Sequence, residues 1–237
     1  MNPSLIKDVA WTDESYVRGP IKAVILRFSG LNGTRDLKAQ AELNELEWAD
    51  RGGLSVLPYH SPWAWMSPDT VTFIDELVDA LFLQHNLPSS TPIIATGGSM
   101  GGHGALTYTL KARHPIARCL ATHPVCDLLY HYSERPDLPR TMHAAFRSYG
   151  DISALLEEHS PLHQAASLPR IPYLFTHGAR DQAVSKAHHS DLLVRALRAA
   201  GHTDLTYLEF PDMYHGHPWT YEGLRATIDF VSAGIPA

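Results

Sequence analysis

The residues best able to do covalent chemistry are Thr96-Gly97-Gly98-Ser99-Met100-Gly101-Gly102, which contain Gly-x-Ser-x-Gly. The apolar run Pro92–Thr96 precedes this segment and reads as a strand; Gly102–Arg113 follows and reads as a helix. A serine on a sharp strand-to-helix turn stands clear of the sheet, and the residues two before and two after it must be almost free of side chain. Gly97 and Gly101 meet that demand. The helix behind Ser99 aims its first N–H groups at any oxyanion that develops there. A serine hydroxyl is a poor nucleophile until a base takes its proton, and that base needs an orienting carboxylate. On a turn of this kind the partners follow in the order Asp or Glu, then His. Asp181 comes just after the apolar run Ile171–Thr176, and His215 and His217 follow Leu205–Phe210, so both sets lie beyond late strands. Asp127, Asp151 and Glu209 are weaker rivals for the carboxylate, because none follows a late strand at the right point.

With 15 histidines in the chain, no single one carries weight by itself. His215 is the expected base and His217 the alternative; His217 directly precedes Pro218, which could open the last helix. His-x-His also suggests a metal pair, but no third ligand stands at convincing spacing, and His188-His189 falls on a predicted helix where neighbours point apart. No metal and no cofactor are expected. The second oxyanion donor should come from Ser29-Gly30-Leu31-Asn32-Gly33, which lacks the Gly-Lys-Ser/Thr of a phosphate loop. The Leu31 N–H is paired with the Met100 N–H in that role. Trp63 and Trp65 lie in a loop after the predicted strand Leu54–Pro58, where they either stack on a substrate group or pack beneath neighbouring chain.

The elements that must position these residues alternate regularly. Apolar, β-branched runs at Ile21–Phe28, Leu54–Pro58, Pro92–Thr96, Ile116–Thr122, Ile171–Thr176 and Leu205–Phe210 have the near-continuous character of strands buried on both faces. Helical spacing occupies Lys38–Asp50, the stretch from Pro68, Gly102–Arg113, Ser185–Ala200 and Pro218–Ser232. This predicts an α/β fold, a mostly parallel central sheet with helices on both faces. From His123 to Pro169 the chain is rich in Pro, His and Tyr, with short helical pieces at Thr141–Arg147 and Ile152–His159. That length is too great for a simple connection, so residues 123–169 read as a short cap-like insertion over the sheet edge where ligands bind. No linker, repeat or charge block divides residues 1–237, which predicts one domain.

Composition excludes other classes. The 237 residues are 44% hydrophobic and 19% charged, which is globular and not disordered. A net charge of −6 with no Lys/Arg cluster argues against a nucleic-acid partner. No apolar run approaches the ~20 residues of a membrane span, and the N-terminal stretch has neither a basic n-region nor an apolar h-region. Two cysteines, Cys119 and Cys126, are too few for a disulfide framework. A cytoplasmic protein is expected, with its oligomeric state, a homodimer included, left open.

The chain resembles the α/β-hydrolases, and more narrowly the catalytic domain of the prolyl oligopeptidase-type serine hydrolases. The resemblance rests on Gly97–Gly102, on Ser160-Pro161-Leu162, and on Ile171–Gly178 with Asp181; it extends through Ala196–Gly201 to His215-Gly216. It implies triad roles for Ser99, Asp181 and His215. About 20 residues precede the first core strand, where the family's peptidases carry a β-propeller, and the loop after that strand reads Phe28-Ser29-Gly30-Leu31 instead of His-Gly-Gly. Both features turn the expectation to the small stand-alone esterases of this branch: a serine hydrolase cleaving short acyl esters, carbohydrate acetates among them, through an acyl-enzyme. An aminopeptidase or small oligopeptidase is the alternative within the mechanism. A non-catalytic binding protein on the same fold is the alternative of another class.

Overall fold

Strand-forming runs of β-branched and aliphatic residues assemble into a seven-stranded sheet in the computed structural model, which describes residues 1–34, 36–216 and 219–237. The strands are β1 (Ala10–Thr12), β2 (Ala23–Phe28), β3 (Gly53–Pro58), β4 (Ile93–Gly98), β5 (Ile116–Thr122), β6 (Tyr173–Gly178) and β7 (Leu205–Phe210). Their order is β1-β3-β2-β4-β5-β6-β7; β1 runs antiparallel to β3 and every other pairing is parallel. Alternation along the strands divides the core. Val24, Leu26 and Phe28 of β2 face one layer, built from α1 (Ile6–Val9), α3 (Pro68–Gln84), α4 (Met100–Lys111) and α8 (Ser190–Ala199). Ala23 and Ile25 face the other, where α2 (Leu43–Ala49) contributes Trp48 and α9 (Tyr221–Ser232) contributes Ile228 and Val231. Burial on both faces explains why these strands read as unbroken apolar runs. The edge strand β1 escapes sequence reading because three residues cannot show a period.

The chain passes from β2 outward to β3 and then back across to β4, so strand order reverses between β2 and β4. Ligands bind at such a switch point, beyond the carboxyl ends of the strands. Phe28 at the end of β2 pairs in register with Gly97 near the end of β4, which brings the Ser29–Gly33 loop beside the Gly-rich turn. The segment between β5 and β6 contains three helices: α5 (Leu128–Glu134), α6 (Leu138–Phe146) and α7 (Ile152–Glu158). Leu128, Leu138, Met142, Phe146 and Leu156 close into a small core of their own on Trp65, Met100 and Val184. The insertion is thus seated on the residue after Ser99 and on the loop after β6.

Candidate active site

Ser99 joins β4 to α4 with φ 60° and ψ −123°, a region that non-glycine residues rarely adopt. Such a conformation costs of order 1–3 kcal/mol and persists only where its surroundings over-determine it. Here the Ser99 N–H donates to Thr122 O (3.0 Å), and Ser99 O accepts from His103 N (3.0 Å) and Val125 N (3.3 Å). The flanking glycines are a steric necessity. A Cβ on Gly97 would lie 2.2 Å from Gly101 O, and one on Gly101 would lie 2.0 Å from Phe28 O. Both obstacles are backbone, which cannot swing aside. Met100 is the first residue of α4, and the first N–H groups of a helix have no partner within it.

The other two expected residues meet one sheet edge further on. Asp181 lies in the loop after β6 and His215 in the loop after β7; His215 Nδ1–H donates to Asp181 Oδ2 at 2.7 Å. Asp181 Oδ1 accepts from Ala183 N (2.8 Å) and Val184 N (3.0 Å). Burial by itself would raise the Asp181 carboxyl, but hydrogen bonds from His177, His215 and the Val184 N–H outweigh it and hold the group well below the usual carboxylate range. Asp181 is therefore ionised, the hydrogen of His215 is fixed on Nδ1, and Nε2 is left as an acceptor. The alternative base, His217, lies outside the described residues. The rival carboxylates have structural work instead: Asp127 caps α5 through Tyr130 N, Asp151 caps α7 through Ser153 N, and half-exposed Glu209 pairs with Lys186.

The Ser29–Gly33 loop lies against the serine: a Cβ on Gly30 would stand 3.8 Å from Ser99 Cβ. Within the loop, Asn32 N donates to Pro62 O and Gly33 N to Gly30 O, and the Leu31 N–H takes part in neither bond. The two tryptophans separate. Trp63 is half-buried; its indole N–H donates to Asn32 Oδ1 (2.9 Å), and Arg140 of α6 lies 5.5 Å from its ring, so it braces the loop against the insertion. The expectation that Trp65 touches substrate is corrected. It is 1% exposed, donates to Thr141 Oγ1 (2.9 Å) and packs under the insertion, so its ring is spent on holding that segment down.

A cavity of about 810 Å³ opens from Ser99 over the β2–β4 switch point, lined near the serine by Ser29, Gly30, Thr122, His123 and Trp219. Its far wall is ionic: Arg27 pairs with Glu42 and Glu45, and Lys38 bridges the same two carboxylates at 2.9 and 3.0 Å. Sequence reasoning missed Trp219, which it assigned to a helix from Pro218, whereas α9 begins at Tyr221 with Thr220 as its cap. It also missed His123, which follows β5 with φ 36°. The His123 ring meets that of His215 edge-on at 4.5 Å between centroids. Its signal, a histidine directly after a strand at the ligand-binding edge, was lost among so many others.

The described residues include one cluster with metal-ligand geometry away from the serine: His131, Glu134 and His189 bring ligand atoms within 4.8 Å of one another. Its hydrogen bonds oppose ligation. His189 Nδ1 accepts from Cys126 N (3.1 Å) and Asp127 N (3.2 Å), which forces its hydrogen onto Nε2, the atom that donates to Glu134 at 3.1 Å. A metal on Nε2 would require an imidazolate. His188 and His189 precede α8 in a turn and do not lie on the helix expected there.

Comparison with known proteins matches residues 66–231 to the prolyl oligopeptidase family. Comparison with curated proteins by sequence gives no match. Among solved structures, the Pyrococcus horikoshii acylaminoacyl peptidase superposes with a TM-score of 0.66 at 16% identity, over 87% of this chain and 34% of that one. A puromycin hydrolase gives a TM-score of 0.71 at 18% identity, over 90% and 34%. Mycobacterium tuberculosis MPT51 gives 0.70 at 15% identity, over 96% of this chain and 93% of its own. The chain spans about a third of the length of the two hydrolytic relatives. All share the fold, a mostly parallel sheet flanked by helices.

Proposed function

The chain belongs to the prolyl oligopeptidase family and has the α/β-hydrolase fold; on that premise we propose that it is a serine hydrolase that cleaves short acyl esters through an acyl-enzyme formed on Ser99. The observation that carries the mechanism is the Asp181–His215 hydrogen bond past the ends of β6 and β7, on the same carboxyl edge of the sheet where the strained Ser99 turn ends β4. Ser99 Oγ attacks the ester carbonyl and His215 Nε2 takes its proton. Asp181 holds the ring and stabilises the imidazolium, and the proton passes to the departing alkoxide. The Met100 and Leu31 N–H groups receive the oxyanion. Water then repeats the sequence to release the acid.

The cavity supports the short acyl group. A long chain gains ~0.8 kcal/mol per buried CH₂ against apolar walls, but beside Leu57, Leu120 and Leu224 the lining carries Arg27, Lys38 and Glu42, which such a chain would strip of water. Free, buried Cys119 and Cys126 suit a reducing cytoplasm, and among the described residues no helix is long and apolar enough to cross a membrane. The test is fluorophosphonate labelling followed by parallel assays of p-nitrophenyl acetate, its octanoate analogue and aminoacyl nitroanilides. Label on Ser99, loss of label in Ser99→Ala and the highest kcat/KM on acetate are expected. Likeness to peptidase domains keeps a peptidase as second reading, and faster turnover of the nitroanilides would establish it in place of the esterase.

A further inference from the structure

The motif His177-Gly178 has no part in the mechanism as described, yet His177 is completely buried and lies against the carboxylate that holds the base. Its hydrogen-bonding pattern is fully determined. Nε2 stands 3.1 Å from Val184 O and 3.2 Å from Asp181 Oδ2, and a carbonyl oxygen can only accept, so the hydrogen is on Nε2. Nδ1 stands 2.7 Å from Ser190 Oγ and accepts the hydroxyl hydrogen. That one hydrogen is bonded to Val184 O, and Asp181 Oδ2, the carboxylate oxygen that receives His215 Nδ1–H at 2.7 Å, lies beside it as a second acceptor at 3.2 Å.

We infer that His177 is a positioning residue that sets the basicity of His215 by sharing Asp181 Oδ2. This rests on the Ser99–His215–Asp181 reading above. A hydrogen bond to the carboxylate draws negative charge from Oδ2, so the oxygen stabilises the His215 imidazolium less than an unshared one would. His177 touches neither substrate nor the reacting atoms and acts on His215 through Asp181; the other titratable ring facing His215, that of His123 after β5 at 4.5 Å between centroids, is the same in every variant compared. Val184, in the loop that Asp181 opens, and Ser190, the first residue of α8, fix its ring, and the Val184 N–H also holds Asp181 Oδ1. Glu134 of α5 anchors that loop from the insertion side, accepting from Ser185 N at 2.8 Å.

The test compares wild type with His177→Phe, which fills the site without a donor, and His177→Gln, which keeps an N–H near the position of Nε2. The rate of fluorophosphonate labelling is followed from pH 5 to 9. The midpoint of its rise is expected to move upward by about 0.5–1 pH unit in His177→Phe, as loss of one hydrogen bond to a charged group shifts a coupled titration, and to return to within about 0.2 in His177→Gln. A merely structural role would lower the rate without moving the midpoint. A folded His177→Phe with an unmoved midpoint, or equal shifts in the two variants, overturns the inference while leaving the triad intact. Absence of label on Ser99 in wild type overturns both. Should His177→Phe fail to fold, ¹⁵N-histidine spectra of the wild-type protein decide: His177 held as the Nε2–H tautomer from pH 5 to 9 supports the inference, and the Nδ1–H tautomer or an imidazolium refutes it.

Discussion

Replacing Asp181 by asparagine removes one charge and almost no volume, yet the hydrogen bonds dictate a large effect. Oδ1 accepts two backbone N–H groups, from Ala183 and Val184, at 2.8 and 3.0 Å. In Asp181→Asn the amide oxygen must keep that place, because the opposite flip would set an NH₂ group against two N–H donors. The NH₂ then occupies the position of Oδ2 and faces His215 Nδ1 at 2.7 Å and His177 Nε2 at 3.2 Å. His215 can meet it only by moving its hydrogen to Nε2, and an imidazole protonated there cannot accept the Ser99 proton. Loss of the correct tautomer in a serine triad costs roughly 10⁴ in kcat, about 5.5 kcal/mol. The stability cost is smaller, since the His177 Nε2–H keeps Val184 O as its acceptor and loses only its contact with Oδ2: about 1 kcal/mol, or a fall of a few degrees in Tm for a chain of this size. The assay is kcat on p-nitrophenyl acetate from pH 6 to 9, with a thermal melt of each protein. A folded Asp181→Asn retaining more than a tenth of wild-type kcat would refute the reasoning.

Three further outcomes follow from the same geometry. His215→Ala is expected to lower kcat about 10³-fold or more, while His217→Ala, assayed in parallel, costs far less and mainly in KM; the reverse pattern moves the base by two residues. Gly101→Ala puts a Cβ 2.0 Å from Phe28 O, a backbone obstacle that must retreat by more than 1 Å, whereas Gly104→Ala meets the flexible Met66 Cε at 3.1 Å and Phe28 Cβ at an ordinary contact distance of 3.4 Å. The first should lose about 1–3 kcal/mol or more in urea denaturation together with its fluorophosphonate labelling, and the second should lose little of either. Asp13 is completely buried, and burial pushes its carboxyl up from 3.8 to about 6 against the hydrogen bonds from Ser55. The folded state therefore binds this proton more tightly than the unfolded state, and the stability it contributes is full below pH 3.8 and lost as pH rises to about 6. Asp13→Asn, which imitates the neutral acid, should match wild type at pH 4 and exceed it by up to about 3 kcal/mol at pH 8, read as the difference between urea curves. An equal difference at both values of pH would show that Asp13 does not titrate in this way.

Local chemistry alone determined much of this protein. The strands could be found because burial on both faces of a parallel sheet leaves no room for polar alternation, as in Ala23–Phe28 and Tyr173–Gly178. Gly-x-Ser-x-Gly identified the turn because its glycines answer to clashes within a few residues of Ser99 and with the adjoining strand. The order Ser99, Asp181, His215 followed from each lying past a strand end. Where reading failed, the deciding contacts were distant in sequence. Trp65 is buried by Thr141 and the insertion helices, 76 residues away, and nothing in its own loop distinguishes it from Trp63. The start of α2 is set at Leu43 by a reciprocal cap between Glu42 and Glu45, and the two carboxylates are drawn to the cavity, which Glu42 lines, only through Arg27 of a neighbouring strand. His123 and His177 look like any of the 15 histidines until the sheet sets β5, β6 and β7 side by side. A side chain's type and local spacing reveal what it is able to do. Which atom its proton sits on, and which neighbour shares it, are fixed by partners that only the folded sheet brings within 3 Å.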